Sequence, residues 1–217
     1  MRGEMQGWSE YAEIVTALFV IVDPLVAIPL FLSLTGSYSE GERRYTSRVT
    51  AFTVAAVLVG AVFLGEPLLD VFGISLASFR VGGGILLLLM AIAMLQALPS
   101  RVQQAPEETK EAKEKENVAV VPLAIPLLAG PGAISTVIIY AHQAATWFDT
   151  LFLILASLFV ASAAWIALAL ANSIGAALGK TGLNIVTRLM GLILAAIAIE
   201  FIAQGLAQLL PGLASGR

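Results

Sequence analysis

Two dipeptides, Asp23-Pro24 and Gly130-Pro131, fall about halfway along apolar stretches where a membrane helix should be most regular. Leu25, Val26 and Ala27 follow the first, while Ala129 precedes the second and Gly132, Ala133 and Ser135 follow it. Proline inside a helix removes a backbone hydrogen bond and clashes with the preceding turn. The residue before it is pushed away from helical angles. Each of these prolines follows a residue suited to N-capping, so each fits the first turn of a new helix. Both spans are therefore expected to be discontinuous, two half-helices joined by a short unwound stretch. Unwound backbone in lipid leaves N–H and C=O groups without partners, a state tolerated only inside protein or beside a water-filled cavity. Half-helix N-termini offer free N–H groups and a partial positive charge suited to a carboxylate. Gly130 and Gly132 let a ligand approach the backbone closely. The chemistry on offer is recognition of a small polar molecule by main-chain atoms. A kink used only for packing is the alternative for either proline alone, and two kinks matched in depth favour a site.

An ionisable side chain at the centre of a span costs roughly 2.5–3.5 kcal/mol on insertion scales, so it calls for a reason. Asp23 can hold a substrate ammonium group or take up a proton, and it can also cap the half-helix that follows; these roles are compatible. Glu200, placed deep in the last apolar stretch, is a second candidate for proton coupling, with pairing to a polar neighbour as the alternative. Arg80 and Arg188 read as snorkelling or helix-pairing residues. Ser135 and Thr136 can donate to a ligand, although bonding back to their own helix is the default. Gly82, Gly83, Gly84 and Gly191 mark close helix crossings. Pro29, Pro122 and Pro126 read as kinks, and Asn172, Asn184 and Gln204, near span ends, carry no assignment. No serine–histidine pair, paired aspartates or metal-ligand cluster stands inside the spans, so neither an enzyme, nor a metal site, nor a cofactor is expected.

The elements that must position these residues are membrane helices. Only 12% of the 217 residues are charged and 59% are hydrophobic, against about a quarter charged in a soluble domain; the mean hydropathy is +0.90. A net charge of −3 points to neither nucleic acid nor an acidic partner. There is no cysteine, which excludes disulfides and thiol chemistry, and the single histidine, His142, excludes His-pair metal sites. The N-terminal stretch carries no cleavage pattern and reads as a retained tail. Six segments approach or reach the roughly 20 apolar residues that cross the hydrocarbon core: 14–34, 45–64, 74–98, 118–140, 150–171 and 185–210. The runs do not alternate apolar with polar, so an all-α membrane protein is expected and a barrel is not. Arg43, Arg44 and Arg48 lie in the first connection, Arg101, Lys110, Lys113 and Lys115 in the third, and Lys180 and Arg188 at the fifth. The second and fourth connections carry Glu66, Asp70 and Asp149 without Lys or Arg. The odd connections are then cytoplasmic and both termini extracytoplasmic. A charged, solvated, partly helical linker at 99–117 separates residues 1–98 from 118–217.

The two parts repeat. Asp23-Pro24 falls on Gly130-Pro131 at an offset of 107 residues, and Arg80, Gly83, Ile85 and Leu86 fall on Arg188, Gly191, Ile193 and Leu194 at 108. Three spans per half, an odd number, put the second half upside down relative to the first. Inverted three-helix repeats with paired broken helices are the pattern of secondary transporters, with the substrate site near the midplane. A channel is the rival, a passive facilitator for small polar solutes. Its half-helices would come from re-entrant loops between spans, whereas here the breaks fall within the first span of each half.

The stretches "DPLVAIPLFLSLT", "ISLASFRVGGGILLLLMAIAML", "VAVVPLAIPLLAGPGAIST" and "GLNIVTRLMGLILAAIAIEFI" together closely resemble the MarC family of membrane proteins, over nearly the whole chain. That resemblance implies six helices in two inverted triplets, with spans one and four discontinuous. It also implies proton-driven transport of small neutral amino acids such as glycine and alanine across the cell membrane. The family's Asn/Asp-Pro-x-Gly pattern maps onto Asp23-Pro24-Leu25-Val26, where Val26 replaces the usual glycine and narrows the space for substrate. Gly130-Pro131-Gly132 keeps its glycines.

Overall fold

Long apolar runs without internal polar partners can satisfy their backbone only as helices, and helices are what they form. The computed structural model describes residues 8–96 and 118–211, and all regular structure among them is helical. The elements are α1 (Trp8–Val22), α2 (Ala27–Leu34), α3 (Glu40–Val71), α4 (Leu76–Leu95), α5 (Ala119–Leu128), α6 (Pro131–Gln143), α7 (Trp147–Ala169) and α8 (Ala171–Leu209). The expected charged linker at 99–117 lies outside the described residues.

Five stretches are long and apolar enough to cross a membrane: Ser9–Leu34, Glu40–Val71, Leu76–Leu95, Trp147–Ala169 and Thr181–Leu209. A sixth arises if α5 and α6, bent by 60° at their junction, are taken as one span. Large apolar side chains turned outward, such as Phe52 (75% exposed) and Leu192 (62%), give the surface a lipid solvent.

Some boundaries differ from expectation. The second span, read as 45–64, lies within a 32-residue helix, about 48 Å long at 1.5 Å per residue. It starts early because Ser39 and Glu42 form a reciprocal capping box. The excess over a core of about 30 Å carries Arg43 and Arg44 in its first turns and Asp70 in its last. The end with these arginines is called the basic face below, and the end with Glu66 and Asp70 the acidic face. The last span, read as 185–210, belongs to a longer helical run interrupted at Gly179, whose φ of +60° only glycine adopts freely.

Small residues set the packing. α4 and α8 run antiparallel with backbones in contact. A Cβ added at Gly205 would lie 2.8 Å from Ala77 O, one at Gly84 2.9 Å from Ala198 O, and one at Gly191 3.1 Å from Ala91 O. The expected close crossings at Gly84 and Gly191 are therefore present, and Gly83 meets Ser135 of α6 instead. Gly82 has nothing near it and makes no crossing. α3 packs along α7, and α6 is wedged against both α3 and α4.

Four landmarks recur at nearly the offset of the sequence repeat. The Ser39–Glu42 capping box that opens α3 is matched, 107 residues on, by a Thr146–Asp149 box that opens α7. Gly73, with φ of +63°, precedes α4, and Gly179 stands 106 residues later before the membrane-spanning part of α8. The break after α1 and the break after α5 are 107 residues apart by their prolines. Arg80 and Gln96 on or beside α4 match Arg188 and Gln204 on α8, both at 108.

Candidate binding site

The first break is a turn rather than a bend. α1 ends at Val22, Asp23 takes a left-handed φ of 39°, and α2 starts at Ala27. The Val26 N–H donates to Asp23 O at 3.2 Å, with Asp23 Oδ1 at 3.4 Å, and Ile28 N–H donates to Leu25 O. Asp23 thus caps the turn 24–26. Pro24 was expected to open the half-helix, but it lies inside this turn and the helix resumes three residues later. The cause is the left-handed Asp23, which directs its own carbonyl to the Val26 N–H. Val26 sits at φ −65° and ψ −26°, a conformation any L-residue adopts, so valine in the glycine position of the family pattern carries no backbone strain.

The second break matches its expectation more closely. Gly130 is the N-cap of α6 in extended conformation, Pro131 is the first helical residue, and no side chain caps the end. The N–H groups of Gly132 and Ala133 then have no acceptor within their helix. Gly130 is required sterically, because a Cβ there would collide with Pro126 O. The approach to it is irregular. Val121 and Ile125 have extended angles near φ −125° and ψ 125°, each before a proline. Pro122 and Pro126, expected as kinks, therefore interrupt α5 fully. Ala129 N–H reaches back five residues to Ala124 O at 2.8 Å. α5 also takes a bond from another helix: Thr50 Oγ1 on α3 donates to Ala119 O at 3.0 Å. Sequence reasoning missed Thr50, and no local signal marks it, since its partner lies 69 residues away.

The two breaks share one core. α1 packs on α6 while α2 packs on α5. Asp23, Pro24, Ala27, Ala129, Gly130, Gly132, Ala133 and Ser135 are buried there; Leu25 and Val26 are half-buried and Pro131 is exposed. Asp23 is 4% exposed and its Oδ2 has no hydrogen-bond partner among the described residues. A buried carboxylate oxygen without a donor is costly.

Two expected contributors behave differently. Ser135 Oγ donates to Pro131 O at 2.7 Å and Thr136 Oγ1 to Gly132 O at 2.9 Å, so both hydroxyl protons are spent within α6 and only the oxygens can serve a ligand. Glu200 is exposed on α8 and accepts from Gln204 Nε2 at 2.7 Å. It is thus held outside the buried core of the breaks, in the pairing given above as its alternative. Gln204 also accepts from Arg80 Nη1 at 3.2 Å, which makes Arg80 a helix-pairing residue and gives Gln204 the role its sequence position did not announce. Arg80 is 3% exposed, and its Nε has no partner among the described residues.

Comparison with known proteins agrees with this architecture. Residues 8–210 match the MarC family of integral membrane proteins. A UPF0056 membrane protein of Buchnera aphidicola from Acyrthosiphon pisum is 38% identical, covering 94% of this chain and 95% of its own. The UPF0056 membrane protein YhcE of Escherichia coli is 38% identical over 94% of both chains. A Methanocaldococcus jannaschii relative is 37% identical over 88% of this chain and 93% of its own. No solved structure matches. With a family match over nearly its whole length and relatives of the same extent, the chain belongs to the MarC family of integral membrane proteins.

Proposed function

We propose that this protein is a secondary transporter of small neutral amino acids, of the glycine and alanine class, coupled to protons and built as two inverted three-helix repeats in the cell membrane. The observation that carries the reading is the presence, beside one buried core, of an orphaned carboxylate oxygen on Asp23 and an uncapped helix start at Gly130. A zwitterion complements both. Its ammonium meets Asp23, and its carboxylate accepts from the Gly132 and Ala133 N–H groups at the positive end of α6. Pro24, Leu25, Val26, Ala27, Ala129, Pro131 and the Ser135 oxygen enclose it. Buried alanines and glycines crowd this region, so a small side chain is preferred. A proton on Asp23 in place of the ammonium supplies the coupling.

The inverted repeat is supported by the recurrence of caps, left-handed glycines, breaks and Arg–Gln positions at offsets of 106–108 and by the antiparallel α4–α8 pair at its centre. The basic face is cytoplasmic by the distribution of Arg and Lys, which places both termini outside. Purified protein in liposomes is expected to accumulate labelled glycine or alanine under an imposed proton gradient. Uptake that ignores the gradient removes the coupling, and no uptake of any small neutral amino acid removes the reading. Saturation and counter-exchange separate a carrier from the channel alternative, which shows neither.

A further inference from the structure

We infer that the lipid-facing groove between α3 and α7 is a binding site for one anionic phospholipid of the leaflet at the basic face, with its phosphate on Arg48 and an acyl chain along the groove. The inference goes beyond the transport reading and does not depend on it, since it needs only an integral membrane protein.

The groove comes from residue size along two packed helices. The start of α3 (Arg43, Arg44) and the end of α7 (Leu168, Ala169) line one cavity, so the two helices run antiparallel. One turn further in from Arg44 and Ala169 stand Arg48 and Trp165, which close the basic end of a second cavity of about 420 Å³. Its floor is Ala51 and Ala161, both buried, with half-buried Ala55 beside them, and its walls are Phe52, Leu158 and Ser162, all exposed. Small side chains below and large ones beside leave a furrow as wide as a hydrocarbon chain. From Arg48 to Ala55 it runs seven residues along α3, about 10 Å of the roughly 15 Å of hydrocarbon in one leaflet.

Depth and charge identify the occupant. α3 exceeds the hydrocarbon core by about 18 Å, and Arg48 lies about 12 Å from its start. Shared between the two ends, that excess puts Arg48 at the edge of the core, where a long cationic side chain reaches up to the phosphates. Arg48 is exposed and makes no hydrogen bond or ion pair among the described residues. No acidic side chain lines the groove. Trp165 is 40% exposed and its indole N–H has no acceptor among the described residues, as suits a tryptophan at headgroup level. Arg44 stands one turn outward on the same face of α3. Its ion pair with Glu40, at 3.7 Å, joins side chains 74% and 90% exposed, so it binds Arg44 weakly and leaves the guanidinium able to turn to a phosphate. Basic pockets between membrane helices are suited to anionic headgroups in this way. A second copy of the chain fits the groove poorly. A twofold contact along the membrane normal would set each Arg48 against its own counterpart at one depth, with no acidic residue of the groove between them.

The three tryptophans make the test direct, because Trp8→Phe/Trp147→Phe leaves Trp165 as the sole indole. The protein, in phosphatidylcholine vesicles with a minor fraction of phosphatidylglycerol, is titrated with either lipid brominated on its chains, and Trp165 quenching is followed. Brominated phosphatidylglycerol is expected to quench well beyond the same fraction of brominated phosphatidylcholine. Arg48→Gln should weaken that preference about fivefold, the effect of one charge near a lipid surface, and Arg48→Lys should retain most of it. Ser162→Phe, which fills the furrow from its exposed lip, should abolish the preference without changing the charge. Arg188→Gln, at an exposed arginine of α8, should leave it intact. Gel filtration confirms that each variant is folded and monodisperse. The inference is overturned if both lipids quench alike, or if Arg188→Gln costs as much as Arg48→Gln, which would mean attraction to the whole basic face. It is also overturned if glycerol phosphate alone displaces the brominated lipid, which would assign the site to a soluble anion. Quenching by neither lipid, with Ser162→Cys cross-linking copies into dimers, would give the groove to a second chain and end the assignment. None of these readouts involves uptake, so failure of the transport reading leaves the result standing.

Discussion

Asp23→Asn separates the two roles that this residue can play. Asparagine keeps the shape, and its carbonyl oxygen can still accept from Val26 N–H, so the cap on the turn 24–26 survives. What it loses is the charge at Oδ2, the atom that has no partner among the described residues. If that oxygen receives a substrate ammonium, the variant forfeits a hydrogen bond to a charged group, about 1.5–3 kcal/mol, or roughly a 10- to 150-fold weaker Kd. Stability should move the other way or not at all, because a buried ionisable group has been replaced by a neutral one. Asp23→Ala removes the cap as well and is expected to cost about 1 kcal/mol of stability. The assay is calorimetric titration of glycine and alanine into detergent-purified protein, paired with thermal unfolding and with uptake at two external pH values. Weakened binding with unchanged unfolding in Asp23→Asn is the expected pattern. Unchanged affinity and unchanged pH dependence would refute the argument and reduce Asp23 to a turn cap.

Two further substitutions probe the scaffold. Gly84→Leu drives a side chain into Ala198 O and Ile202 at the α4–α8 contact and should cost about 1–3 kcal/mol by overpacking, whereas Gly82→Ala, with nothing nearby, should be neutral or stabilising; thermal unfolding in detergent ranks them. Thr50→Val is close in shape but removes the hydroxyl that donates to Ala119 O, for an expected loss of about 0.5–1.5 kcal/mol that Thr50→Ser largely restores, measured the same way.

The sequence made the helical spans legible because a bilayer imposes one length and one composition on whatever crosses it. Apart from the two breaks and the extended residues Val121 and Ile125, the described part of each expected interval falls on observed helix, and the remaining differences lie at its ends. The box at Ser39 lengthens α3, and Gly179 divides what sequence reads as one approach to the last span. The second break was legible in detail, since Gly130-Pro131 is a local signal with a local cause. The first was legible in position but not in form: Asp23 turned left-handed, and Pro24 closed a turn instead of opening a helix. What could not be read were pairings across the chain. Thr50 with Ala119, Tyr11 with Asp149 at 2.7 Å, and Arg80 with Gln204 join residues 69 to 138 positions apart, and each is defined by the partner's place in space. Gln204 and Glu200 show the consequence, one given too little weight and the other placed too near the site.

The unlike chemistry of the two breaks follows from the same residues and is what the proposed transport of a zwitterion requires. At the second break Gly130 and Gly132 remove side chains and Pro131 removes one N–H, which leaves bare backbone donors for an anionic group. At the first, Val26 fills the space that glycine would leave, and Asp23 supplies the only ionisable side chain in the turn. One break therefore offers main-chain donors and the other a carboxylate acceptor. Were both of the first kind, an anion would suffice as ligand; were both of the second, a cation would. A zwitterion with its charges separated by one carbon fits the pair, and restoring glycine by Val26→Gly should widen the range of accepted side chains while leaving the charge requirement in place. Competition of labelled alanine uptake by serine, valine and the uncharged analogue lactamide reads both properties. A variant in which lactamide competes as well as alanine does would break this division of labour between the two halves.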